Sequence, residues 1–170
     1  RIPKTTPIQG DTLHFALNAP VVGNDGCSED TLTVNVNGQE LYKRCNKTNG
    51  WIVEDLPLGS FANQEITITF VVTTAAGANA AGDWRLDDIA ISGGCQYACL
   101  FADFDDEGFS EFNLTSTSPA NLQWELQQGE PAKANSQPNS ARLLWDSSVP
   151  AEKYADISLK SQYLRYISLG

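Results

Sequence analysis

The residues of this chain best suited to chemistry are its acids. Asp87-Asp88 form one carboxylate pair, and Asp103, Asp105, Asp106 and Glu107 crowd a second short stretch. Paired carboxylates serve two chemistries. They hydrolyse glycosides by acid–base catalysis, or they hold a divalent cation such as Ca²⁺, which takes about six to eight oxygen ligands. These acids fall at strand ends in a loop-dense region, which favours the cation over hydrolysis. The rival reading is a solvated acidic cluster, and the spacing is not that of an EF-hand. A hydrolytic triad needs a histidine base beside a nucleophile. The single histidine, His14, has no serine or cysteine motif next to it and reads as an exposed strand residue. Zinc motifs of the HExxH kind are absent. No catalytic residue is assigned, and the chain is expected not to be an enzyme.

Four cysteines form two local pairs, Cys27 with Cys45 and Cys95 with Cys99. Local pairing is one of three connectivities open to four cysteines. Cys95-x-x-x-Cys99 could also serve a metal, but no second pair and no histidine lies nearby, so disulfides and an oxidising compartment are the expectation. Sequons at Asn46-Lys47-Thr48 and Asn113-Leu114-Thr115 mark two glycosylation candidates, Asn46 and Asn113. Together with the absence of methionine, these features predict a secreted or cell-surface protein.

The chain has 170 residues and a net charge of −10. That charge excludes nucleic acid and anionic membrane surfaces as partners, because both require a basic face. No apolar run approaches the ~20 residues with which a helix spans a bilayer, and membrane insertion is not expected. The chain opens RIPKTTPIQG, without an initiating Met or an apolar h-region, and reads as a mature or excised fragment.

Short strands must position these groups. Residues 1–10 read as an extended arm, and Thr12–Asn18 alternates Leu13, Phe15 and Leu17 against polar positions. Thr31–Val36 and Gln39–Arg44 flank Asn37-Gly38, the dipeptide of a type I′ hairpin, because both central residues need φ > 0. A Cys27–Cys45 bridge would tie the open ends of that hairpin. Trp51–Asp55 and Glu65–Thr74 follow as strands, the second directing Ile66, Ile68, Phe70 and Val72 to the core. Trp84–Ser92 and Leu100–Phe104 are extended on either side of Gly93-Gly94 and the cysteine loop. Beyond Gly108 the pattern weakens. Ser110–Ser118 is polar, Leu122–Gln127 buries Trp124, and Ala141–Asp146 and Tyr154–Lys160 alternate again, the last through Tyr154, Ile157 and Leu159. Tyr163–Leu169 offers one further strand. No helical period lasts three turns with caps. Strands every ~10 residues predict an all-β, antiparallel β-sandwich of jelly-roll type.

Trp84-Arg-Leu-Asp-Asp-Ile-x-Ile-x-Gly-Gly-Cys95 resembles the closing signature of MAM domains and their bacterial jelly-roll relatives, where a strand ending Asp-Asp-Ile and a terminal cysteine finish the sandwich. Cys99-Leu-Phe-Ala-Asp103-Phe104-Asp105 resembles the family's opening signature, a cysteine followed by Asp-Phe-Glu. Trp51–Thr74 is similar to the region between, and Trp124-Glu-Leu to the early tryptophan strand. Asp105 stands where the family has Glu, and the cysteine that often follows the opening signature is absent. The resemblance implies a structural Ca²⁺ held by Asp103, Asp105 and Asp88, with Asp25 or Asp30 as weaker candidates.

The order of the parts is inverted. Residues 1–94 match the C-terminal half of such a sandwich, 95–99 a disulfide-pinned connector, and 100–170 the N-terminal half of the next. Two arrangements satisfy this order: one permuted domain whose halves pack together, or one period of a tandem array in which a neighbouring repeat completes each sandwich. The array is the reading adopted. It makes the chain a non-enzymatic extracellular structural protein, a head-to-tail repeat of a fibrous or adhesive assembly, with copies of itself as partners. A carbohydrate-binding or cell-adhesion module, taking glycans on Trp51, Trp84, Trp124 or Trp145, is the alternative. Those tryptophans sit in alternating strands, where a core role is the stronger expectation.

Overall fold

A computed structural model describes residues 11–22, 30–62, 64, 66–74, 82–92, 100–102, 104, 109, 112–118, 120–128, 139–145 and 153–159. Among them are eleven strands: β1 (Thr12–Val21), β2 (Thr31–Val36), β3 (Gln39–Arg44), β4 (Ile52–Pro57), β5 (Ile68–Thr73), β6 (Gly82–Ser92), β7 (Leu100–Ala102), β8 (Phe112–Ser116), β9 (Trp124–Gln127), β10 (Ser140–Trp145) and β11 (Tyr154–Leu159). One 3₁₀ turn, Gly59–Phe61, follows β4.

The strands form an all-β, antiparallel β-sandwich. The first sheet runs β4-β1-β6-β10-β9, with β7 also on β6, and the second runs β3-β2-β5-β11-β8. Leu13, Phe15, Leu17, Trp84, Leu86 and Leu143 from the first sheet meet Leu32, Val34, Phe70, Val72 and Ile157 from the second in one buried cluster. Phe15 packs edge-on against Phe70, with ring centroids 5.2 Å apart. Burying side chains of this size contributes roughly 1.5–3 kcal/mol each, so this layer outweighs any single polar contact described below.

Local chemistry explains the best-defined pieces. The β2–β3 hairpin turns at Asn37 (φ 51°) and Gly38 (φ 80°), both left-handed as a type I′ turn requires. Asn37 then does a second job. Its N–H donates to the Thr67 carbonyl at 3.0 Å, and its Oδ1 accepts from the Thr67 N–H at 2.9 Å. The hairpin tip is thereby fastened to the residue that leads into β5.

Strand β6 departs from simple alternation. Ala16 lies opposite Asp87 but His14 lies opposite Ala90, so one extra residue is accommodated there, and Asp88 takes φ 48°. This bulge switches the parity of the strand. Trp84 and Leu86 face inward before it, Ile89 and Ile91 after it, and all four are buried.

The open side between the edge strands β3 and β4 is closed by a polar clamp. The Tyr42 hydroxyl donates to Glu54 Oε1 at 2.8 Å, and Arg44 Nη1 donates to both groups at 3.4 Å. Burial pushes the Tyr42 phenol up to about 12 against the pull of the Arg44 guanidinium, and the Glu54 carboxylate adds to the rise.

Some boundaries differ from the sequence expectation. β1 runs on to Val21, β5 begins only at Ile68, and β6 starts two residues before Trp84. Ile66 is buried all the same. Tyr154 faces outward, because Ala155 and Ile157 occupy the inward positions of β11. The arm at 1–10 and Tyr163–Leu169 lie outside the described residues.

Gly82 lies opposite Trp145, and a Cβ built on it would come within 2.0–2.5 Å of the indole. Gly82→Ala is therefore expected to destabilise the fold by about 1–3 kcal/mol, the usual cost of overpacking a filled site. The check is the urea-unfolding midpoint; an unchanged midpoint contradicts the contact.

Candidate functional site

The first half of the chain supplies β1–β6 and the second half β7–β11, and the two meet in both sheets. Strand β6 offers two edges. β1 lines one of them from Asp83 to Ser92. The other is shared end to end by β10, against Gly82–Leu86, and β7, against Ile89–Ile91. In the second sheet, β11 pairs with β5 on one side and β8 on the other. This seam is the candidate functional site.

Its inner face is apolar. Leu143 lies opposite Trp84 on one side and Trp124 on the other, so two indoles flank one leucine across three strands. Trp84 and Trp124 are buried, and their indole N–H groups find no hydrogen-bond partner among the described residues. Leaving such donors unpaired opposes folding by roughly 1–3 kcal/mol each. Packing therefore holds this face together, not polar recognition.

The outer face is charged. Arg85 and Arg142 stand directly opposite each other across the seam. Two guanidinium groups in that position repel unless a carboxylate intervenes, and Asp83 supplies it. Asp83 Oδ1 accepts from Arg85 Nε at 3.2 Å and from Arg142 Nε at 3.0 Å. Its Oδ2 accepts from Arg85 Nη2 at 2.7 Å and from Arg142 Nη2 at 3.0 Å. Both arginines thus present a two-pronged fork to one carboxylate, the geometry in which guanidinium–carboxylate pairs are strongest. Gln127 Oε1 on β9 accepts from Arg142 Nη1 at 3.0 Å and extends the lock to a third strand. Asp83 is 5% exposed and Arg85 8%, so water screens the pair poorly. Burial drives the Asp83 carboxyl upward, but the Arg142 and Arg85 forks more than reverse this and hold it below its ordinary 3.8.

A third fastening lies in the second sheet. The Thr74 N–H donates to the Lys153 carbonyl at 2.8 Å, and the Lys153 N–H donates to Thr74 Oγ1 at 3.1 Å.

The residues expected from sequence to bind or be modified divide into placed and unplaced. Asp88 sits half-buried in the β6 bulge, its N–H donating to Asp87 Oδ1 at 2.9 Å. Asp30 is buried at the entry to β2, in the other sheet. Asp103, Asp105 and Asp25 lie outside the described residues. Among the described residues no three His, Cys, Asp or Glu side chains gather into a group that could hold a metal. Phe104, between Asp103 and Asp105 in sequence, is buried with φ 63°, and its carbonyl accepts from Asn139 Nδ2 at 3.2 Å.

Cys45 is buried and disulfide-bonded. Cys27, Cys95 and Cys99 lie outside the described residues. Asn46 and Asn113 are both exposed. Thr48, the hydroxyl residue of the first sequon, is buried; its Oγ1 accepts from the Ala19 N–H at 2.8 Å and donates to Asn18 Oδ1 at 3.2 Å. Of the tryptophans, Trp84, Trp124 and Trp145 are buried and Trp51 is half-buried.

The Asp83 lock escaped the sequence reading. Half of it was visible, since Asp83 and Arg85 are two apart and share a strand face. Arg142 is 59 residues from Asp83, and only the β6–β10 register joins them. Compared with protein-family models, curated proteins and solved structures, the chain matches none.

Asp83 ionises more readily folded than unfolded. Its contribution is therefore complete above the ordinary 3.8 and disappears as the pH falls through the lower folded value. Asp83→Asn leaves two opposed guanidinium groups and is expected to cost roughly 3 kcal/mol at neutral pH, a melting shift on the order of 10 °C. That gap should hold steady down to about pH 5 and close in stronger acid. Thermal melts of both proteins across this range are the measurement, and a gap independent of pH down to full protonation contradicts the lock.

Proposed function

We propose that this chain is a non-enzymatic extracellular structural protein, a repeat unit of a fibrous or adhesive assembly joined head to tail through copies of itself. The observation that carries the reading is the seam. Its halves are joined by strand ladders in both sheets, an interlocked row of Trp84, Leu143 and Trp124, and the Asp83 lock. The contacts that join the halves are the ladders of β6 with β10 and β7 and of β5 with β11, Leu143 against Trp84, and Arg142 on Asp83. A sandwich divided in this way is closed equally well by its own second half or by that of a neighbouring copy, because the contacts are the same in either case.

The resemblance of Trp84–Cys95 and Cys99–Asp105 to the closing and opening signatures of MAM-like jelly rolls supports the same reading. The jelly-roll assignment is favoured by the way successive strands cross between the sheets, from β1 to β2, β3 to β4, β4 to β5 and β5 to β6. Disulfide-bonded Cys45 supports an oxidising, extracellular setting, with Cys27–Cys45 and Cys95–Cys99 as the proposed bridges. Asn46 and Asn113 are the proposed glycan sites, and both are exposed enough to carry one.

A structural Ca²⁺ held by Asp103, Asp105 and Asp88 belongs to this proposal. Asp88 suits the role chemically, offering hard carboxylate oxygens from a bulge where the ladder is already interrupted.

A carbohydrate-binding or cell-adhesion module is the second reading. Its support is the outward face of the second sheet, not the tryptophans, which are buried or half-buried.

Electron microscopy of native material should show filaments whose axial repeat matches one chain, with glycan mass on the Asn46 and Asn113 peptides. A stable monomer at all concentrations, with no filaments and no larger species, sinks the assembly reading. Chelator should lower the melting midpoint of the purified protein by several degrees, as loss of a bound structural ion does; an unmoved midpoint removes the calcium.

A further inference from the structure

We propose that the outward face of the second sheet docks an extended neutral polysaccharide, laid across β2, β5 and β11 and stopping short of the edge strand β8, which carries the glycan candidate Asn113. The proposal rests on the carbohydrate-binding reading and is independent of assembly through the seam.

The registers carry it. Thr33, Val71, Asp156 and Thr115 stand side by side in one row across the four strands. Asn35, Thr69 and Ser158 make the next row, with Asn113 beyond them on β8, and Thr73 lies beside Tyr154 in a third. Their neighbours along β2, β5 and β11, among them Val34, Phe70 and Ile157, are fully buried, and on β8 Leu114 is partly buried against the same core. Alternation therefore turns these rows to the outside.

The chemistry of the rows selects the occupant. Hydroxyl and amide groups both donate and accept, as sugar hydroxyls do, and the sheet repeats them about every 4.8 Å from strand to strand. Threonine side chains are stiff about χ1 and sit on rigid strands, so little freedom is lost on binding. Tyr154, 43% exposed, offers a ring face on which a sugar can stack and a hydroxyl to orient it.

Charge narrows the choice further. The chain carries −10 overall, yet these three rows contain one carboxylate, Asp156, which already accepts a hydrogen bond from the Thr115 hydroxyl. They contain no lysine or arginine; Lys43, opposite Thr33 on the edge strand β3, stands at their margin. A polyanion therefore finds no cationic row, whereas a neutral polymer meets no charge penalty. A protein partner would require an apolar centre to its interface, and here only Val71 and Tyr154 are apolar.

The test is retention of the full chain on microcrystalline cellulose, insoluble chitin and insoluble mannan, at low and high salt. At least one should retain it, independently of salt. Tyr154→Ala, and separately Thr69→Lys in the middle of the face, should each weaken retention about tenfold or more while the far-UV circular dichroism of the folded chain is kept. Ser158→Lys serves if either variant fails to fold. Retention by none of the three polymers overturns both this proposal and the carbohydrate reading. Retention that survives the face variants overturns the location and leaves that reading standing. Retention abolished by salt overturns the neutral ligand.

Discussion

A strand has two edges, and on β6 one of them is used up. β1 runs beside it from Asp83 to Ser92, so the second half of the chain reaches the first sheet only through the remaining edge. β10 and β7 divide that edge between them, and the bulge at Asp87-Asp88 falls between the two segments they use. The rest of the first sheet follows from this one constraint. Because β10 takes Gly82–Leu86, Leu143 is delivered between Trp84 and Trp124, and Arg142 is delivered onto Arg85. The first consequence fills the core. The second creates an electrostatic problem that Asp83 solves.

The two faces of the seam divide the labour. Apolar burial on the inner face supplies most of the free energy but discriminates poorly between registers, since one leucine or alanine fills a site much like another. The charged outer face adds less energy and more discrimination. A slip of one residue would carry Arg142 to the opposite face, away from Asp83, and leave a buried carboxylate short of half its partners. Gly82 adds a steric check, because only a residue without a Cβ fits against Trp145. In the polymer reading this discrimination matters more than stability, since a half-chain joining a neighbour must arrive in a single register.

Much of the fold was legible in the sequence. Asn37-Gly38 gave the hairpin to the residue, because left-handed backbone at both positions is a local requirement that few residue pairs meet. Ile66, Ile68, Phe70 and Val72 were correctly read as core, since alternation on a strand is local too. The bulge in β6 also left a trace. Trp84, Leu86, Ile89 and Ile91 are spaced two, three and two apart, and the three marks the change of parity, although the stretch reads at first as plain alternation. Strand β8 was the hardest to see. Its polar residues face outward at a sheet edge, so little of its sequence is constrained by the core. Of the three principal calcium ligands expected, Asp103, Asp105 and Asp88, only Asp88 lies among the described residues, and the sequence pattern alone would not have set it in a bulge.

What the sequence determined by itself was the β class, the hairpin, the inward residues of most strands and the acidic character of the surface. These depend on spacings of two residues or on summed charge. What only the tertiary structure decided was which strands became neighbours. Strand β10 beside β6 pairs residues nearly sixty positions apart, and no local pattern encodes that choice because many edges could accept the same ladder. The Asp83 lock and the hydroxyl rows of the second sheet both arise from such choices. Their residues are ordinary in sequence and acquire a role only through the strands they are set beside.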